Sequence, residues 1–189
     1  MDARYGLEVL MWTLGPSIVF SYVWLYAVMY DLPTDAKRSR LWALFGDHGL
    51  YMGLWSASVL VCVVAFLNLS VRLCYLDGAP AELAAHEWIV YPYGLFLGGS
   101  ALYAPLLIYA RQWVVVVDLA CVAASAIALS AWTALYLTGT PEGVATCALT
   151  CALAFHCTVM DAVLWSYTWC YRPGYWTADD HWVEAPDYY

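Results

Sequence analysis

Charge is what this sequence has least of. Only 12% of its 189 residues are Asp, Glu, Lys or Arg, against about 25% in an ordinary soluble domain. Apolar residues make up 64%, so water is the wrong solvent for most of the surface. Positive charge is scarcer still: seven Lys and Arg stand against fifteen Asp and Glu, a formal net charge of −8. Nucleic-acid affinity rests on neutralising phosphates, and this balance argues against a nucleic-acid partner.

Other absences narrow the reading further. There is no Ser/Gly-rich linker, low-complexity tract or fixed-period repeat, so residues 1–189 are read as one domain. Serine-hydrolase elbows, phosphate-cradling glycine loops, HExxH and CxxC are all missing, which leaves no recognisable catalytic motif. Seven cysteines are present, but Cys62, Cys121, Cys147, Cys151 and Cys157 lie in apolar runs, where a thiol behaves as a small hydrophobe. The opening residues Met1 to Glu8 hold Asp2 and Glu8 beside Arg4, unlike the basic start of a cleavable signal. The first apolar run is therefore read as a retained span.

What the chain does have is long uncharged runs. A helix crossing a hydrocarbon layer of roughly 30 Å needs about 20 mostly apolar residues. Five runs qualify, at about 9–30, 50–71, 88–110, 113–137 and 144–171. Without strict alternation they favour helices over barrel strands. The expected fold is all-α: a polytopic membrane bundle of five transmembrane helices, with four spans plus a re-entrant or interfacial segment as the alternative. Residues 41–45 are expected to form a short interfacial helix, 77–87 an acidic loop, Thr138 to Gly143 a turn, and 172–189 an acidic, aromatic interfacial tail. On the positive-inside rule, Lys37, Arg38, Arg40, Arg111 and Arg172 share the inner side and Arg4 and Arg72 the outer, which puts the carboxyl end inside.

Helices in lipid associate through small residues that let backbones approach. Gly94 and Gly98, followed by Gly99, form a GxxxG-type surface on the third run. Ala124 and Ala128 continue a small-residue stripe on the fourth. Such faces serve contacts within one chain, with other membrane subunits or in a homo-oligomer.

Ionisable groups inside the hydrocarbon layer cost about 2.5–3.5 kcal/mol for an Asp at a helix centre, so each asks for a reason. Asp118, His156 and Asp161 are the three. Arg111 stands two helical turns before Asp118 and is expected to lean toward it from the interface. His156 and Asp161 are five apart, about 140° around an α-helix, so they are expected to line different walls of one cavity, with Thr158 and Tyr167 as hydrogen-bond partners. The set forms either a polar site or proton path, or a structural network between helices.

The 11 tryptophans and 16 tyrosines suit interfacial anchoring and packing. No cofactor is predicted; an aromatic cavity would take a flat apolar ligand such as a lipid, sterol or tetrapyrrole. A five-span, tryptophan-rich outline is similar to that of the translocator proteins, which bind cholesterol and porphyrins. Their Pro/Trp-rich first loop has no counterpart here, and the Trp132-Thr133-Ala134-Leu135-Tyr136 run falls in another span, so no family is assigned and no residue role is carried over. The sequence points to an integral membrane protein surrounded by membrane lipid, acting as an accessory subunit of a membrane complex or as a binder of small apolar ligands. The alternative is a proton-coupled transporter or intramembrane enzyme using Asp161 and His156.

Overall fold

The computed structural model describes residues 3–30, 49–75, 87–109 and 112–166. All regular structure among them is helical, with no strand. Helix α1 (Ala3–Tyr30) is followed by α2 (Gly49–Tyr75). Then come a single 3-10 turn (Glu87–Ile89) leading into α3 (Val90–Tyr109), α4 (Gln112–Tyr136) and α5 (Pro141–Phe155). The last helix continues directly into a ten-residue π-helix, His156–Trp165. Helices are the expected answer for such runs, because every backbone N–H and C=O is then satisfied within its own segment.

Four of these helices are long and apolar enough to cross a membrane: α1, α2, α4, and α5 with its π-helical extension. Four of the five expected spans are matched in this way, and the run at 88–110 is the one that is not. At 20 residues α3 has the length, about 30 Å at 1.5 Å per residue. Tyr91, Pro92, Tyr93, Gly94, Gly98, Gly99, Ser100, Tyr103 and Pro105 dilute its apolarity.

Several boundaries also move outward from the apolar runs. Helix α1 begins at Ala3 rather than Val9, because Arg4 and Glu8 pair at i,i+4 and the Arg4 guanidinium donates from Nε to the Cys74 carbonyl at 2.6 Å. Helix α5 begins at Pro141, inside the segment expected to be a turn. Thr140 caps it by accepting from the Gly143 N–H, and Pro141 occupies the first position, where its missing N–H costs nothing. Gly143 itself is obligatory: a Cβ there would run into the Leu137 backbone carbonyl. Arg72 then ties α2 to this cap through Thr140 Oγ1 at 3.2 Å. The Lys37, Arg38 and Arg40 cluster, residues 41–45, the acidic loop from 77 to 86, Arg111, Tyr167, Cys170, Arg172 and the tail 172–189 lie outside the described residues.

Neighbouring helices close into a ring: α1 packs on α3, α3 on α4, α4 on α5, α5 on α2, and α2 meets α1 again. Its centre is filled by Phe66, Leu69, Leu73, Tyr93, Phe96, Leu97, Ala126, Leu129, Trp132 and Leu153. Phe66 stacks on both Tyr93 and Phe96, with ring centroids 5.3 and 5.1 Å apart. The Tyr93 hydroxyl donates to Ser70 at 2.8 Å, joining α2 to α3. Thr133 and Thr150 share a hydrogen bond of 2.7 Å between α4 and α5, and Thr146 donates to Asn68 of α2.

The outside of the ring is the converse. Tyr5, Trp12, Val19, Phe20 and Val23 of α1 are all exposed, as are Leu60, Val61, Val63, Val64 and Leu67 of α2. Only 11% of the most apolar 18-residue stretch within Ala3–Leu25 is buried within the bundle. Contiguous apolar faces of that extent do not remain in contact with water, so the bundle needs an apolar surrounding. Within α1, Pro16 interrupts the backbone ladder. The hydroxyls of Thr13 and Ser17 bond the Val9 and Thr13 carbonyls around it.

Candidate functional site

Polar side chains gather in the half of the bundle that holds the carboxyl ends of α1 and α3 and the amino ends of α2 and α4. Asp118 sits six residues into α4 and Tyr103 six residues before the end of α3, each about 9 Å from that end. The chain reversal that brings α5 back toward the same end delivers His156 and Asp161.

His156 is the pivot. It is 4% exposed, and its ring is engaged on both sides: Nδ1 lies 2.8 Å from the Ser58 hydroxyl of α2, and Nε2 lies 3.3 Å from Asp161 Oδ2. The expectation that His156 and Asp161 line different walls is overturned by the helix type. Hydrogen bonding from i to i+5 in a π-helix brings residues five apart onto one face, whereas α geometry would separate them by about 140°. The Ser166 N–H bonds to the Asp161 carbonyl in that same i+5 register. The pairing also sets a tautomer: a carboxylate on Nε2 holds the proton there and leaves the Nδ1 lone pair to accept from the serine.

Around this line stand further groups. Tyr103 interacts electrostatically with Tyr22, Asp161 and Asp118, and its ring lies 6.2 Å from that of Tyr22 and 6.0 Å, edge-on, from that of Trp165. Cys62, one turn beyond Ser58, and Cys157, beside His156, both lie within electrostatic reach of Asp161. Asp118 comes against the third helix at Gly99, where a Cβ would meet its Oδ1 at 3.2 Å and Val122 at 2.5 Å. Its other oxygen, Oδ2, is buried with no hydrogen-bond partner among the described residues. Arg111, expected beside Asp118, lies outside the described residues. Thr158 keeps a buried hydroxyl without a partner among the described residues.

The small residues named from sequence go to different places. Gly94 faces α1, where a Cβ would approach Leu10 at 3.3 Å, while a Cβ at Gly98 would meet nothing within 4 Å among the described residues. Ala124 is exposed and Ala128 half-buried. The close approach of α3 and α4 falls at Gly99, one residue along. Cys151 contacts the Ser130 hydroxyl at 3.2 Å, and among the described residues no group of three or more His, Cys, Asp and Glu is placed to hold a metal ion.

Sequence reasoning missed two members of the site. Ser58 is one of several serines in an apolar helix, and only the approach of α5 to α2 singles it out. Tyr103 was hidden among the many tyrosines, although its position two thirds of the way along the third run matched the depth of Asp118. Comparison with known protein families, with characterised proteins and with solved structures finds no match for this chain.

Proposed function

We propose that the chain crosses a membrane five times, carboxyl end inside, and uses the Ser58, His156 and Asp161 line as an intramembrane proton-exchange site. One observation carries this reading: a histidine buried in an apolar bundle is held by a serine on one ring nitrogen and a carboxylate on the other. An ionisable group at such depth is a functional feature by default. A histidine with one nitrogen poised to accept and the other to donate is the side-chain arrangement that passes protons near neutral pH. The crossing of α3 is supported by its length and by its place between α1 and α4. Of its tyrosines, Tyr93 is fully buried and hydrogen-bonded, and the exposed Tyr91 stands in its first turn.

Within this reading Asp161 is the orienting carboxylate, His156 the proton carrier, and Asp118 with Tyr103 the adjoining polar wall. Arg111 is a candidate counter-charge for Asp118 from the interface. The outward apolar faces fit membrane lipid. Gly98, with open space around it among the described residues, and the exposed Ala124 beside the half-buried Ala128 suit contact with another membrane subunit or a second copy. The Tyr22, Tyr103 and Trp165 rings offer a flat apolar ligand such as a lipid, sterol or tetrapyrrole a wall beside the polar groups.

Selective 15N-histidine NMR on the protein in lipid bilayers tests the site without knowledge of any substrate. The His156 signals, identified by their loss in His156→Gln, are expected to change with bulk pH and to change differently in Asp161→Asn. Ring signals indifferent to pH over the whole range in which the protein stays folded would reduce the line to a structural tie and remove the reading.

A further inference from the structure

We infer that Ser58 is a nucleophile, activated by His156, for acyl transfer from long-chain carboxylic esters that reach it sideways from the lipid. The inference rests on the proton-exchange reading of the same site and adds to it a reaction and a substrate class. The structural requirement for an activated serine is a base within hydrogen-bond reach of the hydroxyl, itself oriented by a third group. Ser58, His156 and Asp161 meet it at 2.8 and 3.3 Å. These roles are recognised by geometry and not by sequence position or motif, which is why a chain without a hydrolase elbow can carry them. The serine here sits on Nδ1 and the carboxylate on Nε2. Either ring nitrogen serves as the base, provided the other holds the proton.

Access decides the substrate. Ser58 is half-buried, and the residues one turn before and after it on the same stripe of α2 face outward, Leu54 at 56% and Val61 at 43% exposure. Ser58 therefore stands at a seam between the ring interior, where His156 waits, and the apolar outside. A molecule entering along Leu54 and Val61 meets alkyl side chains first and the hydroxyl next. That order suits an acyl chain leading its ester carbonyl to the serine.

The step balances with water as the second reactant. Ser58 Oγ bonds to the ester carbonyl carbon as its proton moves to His156 Nδ1. Collapse of the tetrahedral adduct breaks the bond from that carbon to the alcohol oxygen, which takes the proton from Nδ1. Water then attacks the acyl-serine, giving up a proton to Nδ1. Breakage of the bond between the acyl carbon and Oγ releases the carboxylic acid, and the proton on Nδ1 returns to Ser58. Asp161 keeps the Nε2 proton throughout and stabilises the ring while it is charged.

The test treats the purified full chain in mild detergent with a long-chain alkyl fluorophosphonate and maps the adduct by peptide mass spectrometry. In parallel, hydrolysis of 4-nitrophenyl palmitate is compared with that of 4-nitrophenyl acetate. The expected result is phosphonylation at Ser58, preference for the palmitate, and loss of roughly a hundredfold or more in labelling rate in His156→Gln. Wild-type protein that elutes as a folded species yet carries no adduct on Ser58 overturns the inference, whatever Ser58→Ala does to folding. So does an adduct that forms equally fast in His156→Gln. Should His156 respond to pH by NMR while Ser58 stays unlabelled, the proton-exchange site stands and the nucleophile falls. An inert His156 together with an unlabelled Ser58 removes both.

Discussion

His156 and Asp161 are five residues apart and touch, Nε2 to Oδ2 at 3.3 Å, because the backbone between them is π-helical. The contact is thus a property of the register as much as of the two side chains. A double-mutant cycle with His156→Ala and Asp161→Ala should give a coupling energy of about 0.5–2 kcal/mol, the range found for polar pairs inside membrane proteins. Unfolding in mixed detergent micelles measures it. Deleting Val159 brings the pair to i,i+4, where an ordinary α-helix restores their common face. The deletion variant should therefore keep the coupling while Trp165 and Ser166 turn away from their present neighbours. Coupling lost in the deletion variant would mean that the π register does more than align this pair.

Gly99 and Gly98 are adjacent and should answer alanine in opposite ways. A Cβ at Gly99 would stand 2.5 Å from Val122, so Gly99→Ala must push α3 and α4 apart and is expected to cost about 1–3 kcal/mol as overpacking. Combining it with Val122→Ala should recover part of that loss. At Gly98 the added methyl meets nothing within 4 Å among the described residues, and the reduced freedom of the unfolded chain should make Gly98→Ala neutral to about 1 kcal/mol more stable. Thermal unfolding of the monomer checks both. A destabilised Gly98→Ala accompanied by loss of a dimer would identify Gly98 as a contact between copies.

The contrast between these two glycines shows where sequence reasoning stops. Long apolar runs disclosed the helices, because length and lack of charge alone decide what an apolar surrounding tolerates. They disclosed the ends less well. Arg4 and Thr140 extend α1 and open α5 through hydrogen bonds and a cap that hydropathy does not see. GxxxG spacing selected Gly98, but which glycine meets the neighbouring helix depends on rotation about the axis, and that follows from the whole ring. The titratable members of the site, Asp118, His156 and Asp161, were visible because charge in an apolar run is conspicuous. Ser58 and Tyr103 were not, since hydroxyls are common in such helices and only packing brings these two to the site. The His156 and Asp161 contact was hidden by the assumption of an α register.

Thr158 lies on the same π-helical segment with its hydroxyl buried and unbonded among the described residues. A buried hydroxyl without a partner costs about 1–3 kcal/mol. Thr158→Val, which keeps the branched shape and removes the orphan oxygen, should raise stability by about 1 kcal/mol or more. Loss of stability instead would show that the hydroxyl has a partner in the native membrane. Should the variant gain stability and also lose ester hydrolysis, the hydroxyl would be tied to the Ser58 reaction, where an unpaired donor is useful.

Arg4 ties two helices together at the opposite end of the bundle. Its Nε donates to the Cys74 carbonyl at 2.6 Å, with Glu8 at 3.5 Å, so one guanidinium joins the start of α1 to the last turn of α2. A charged donor at the carboxyl end of the described helix also meets the negative end of the helix dipole. Its side chain is about a third exposed, so solvent competes for both partners. Arg4→Met, which preserves length and apolar contact, should cost about 1–2 kcal/mol after that discount. The loss should be seen as faster backbone hydrogen exchange over residues 3–8 and 72–75 and should leave His156 undisturbed. Added salt should weaken the Glu8 contribution more than the carbonyl bond, because the first is an exposed ion pair. An Arg4→Met protein with unchanged exchange at the end of α2 would show that apolar packing alone holds α1 in place.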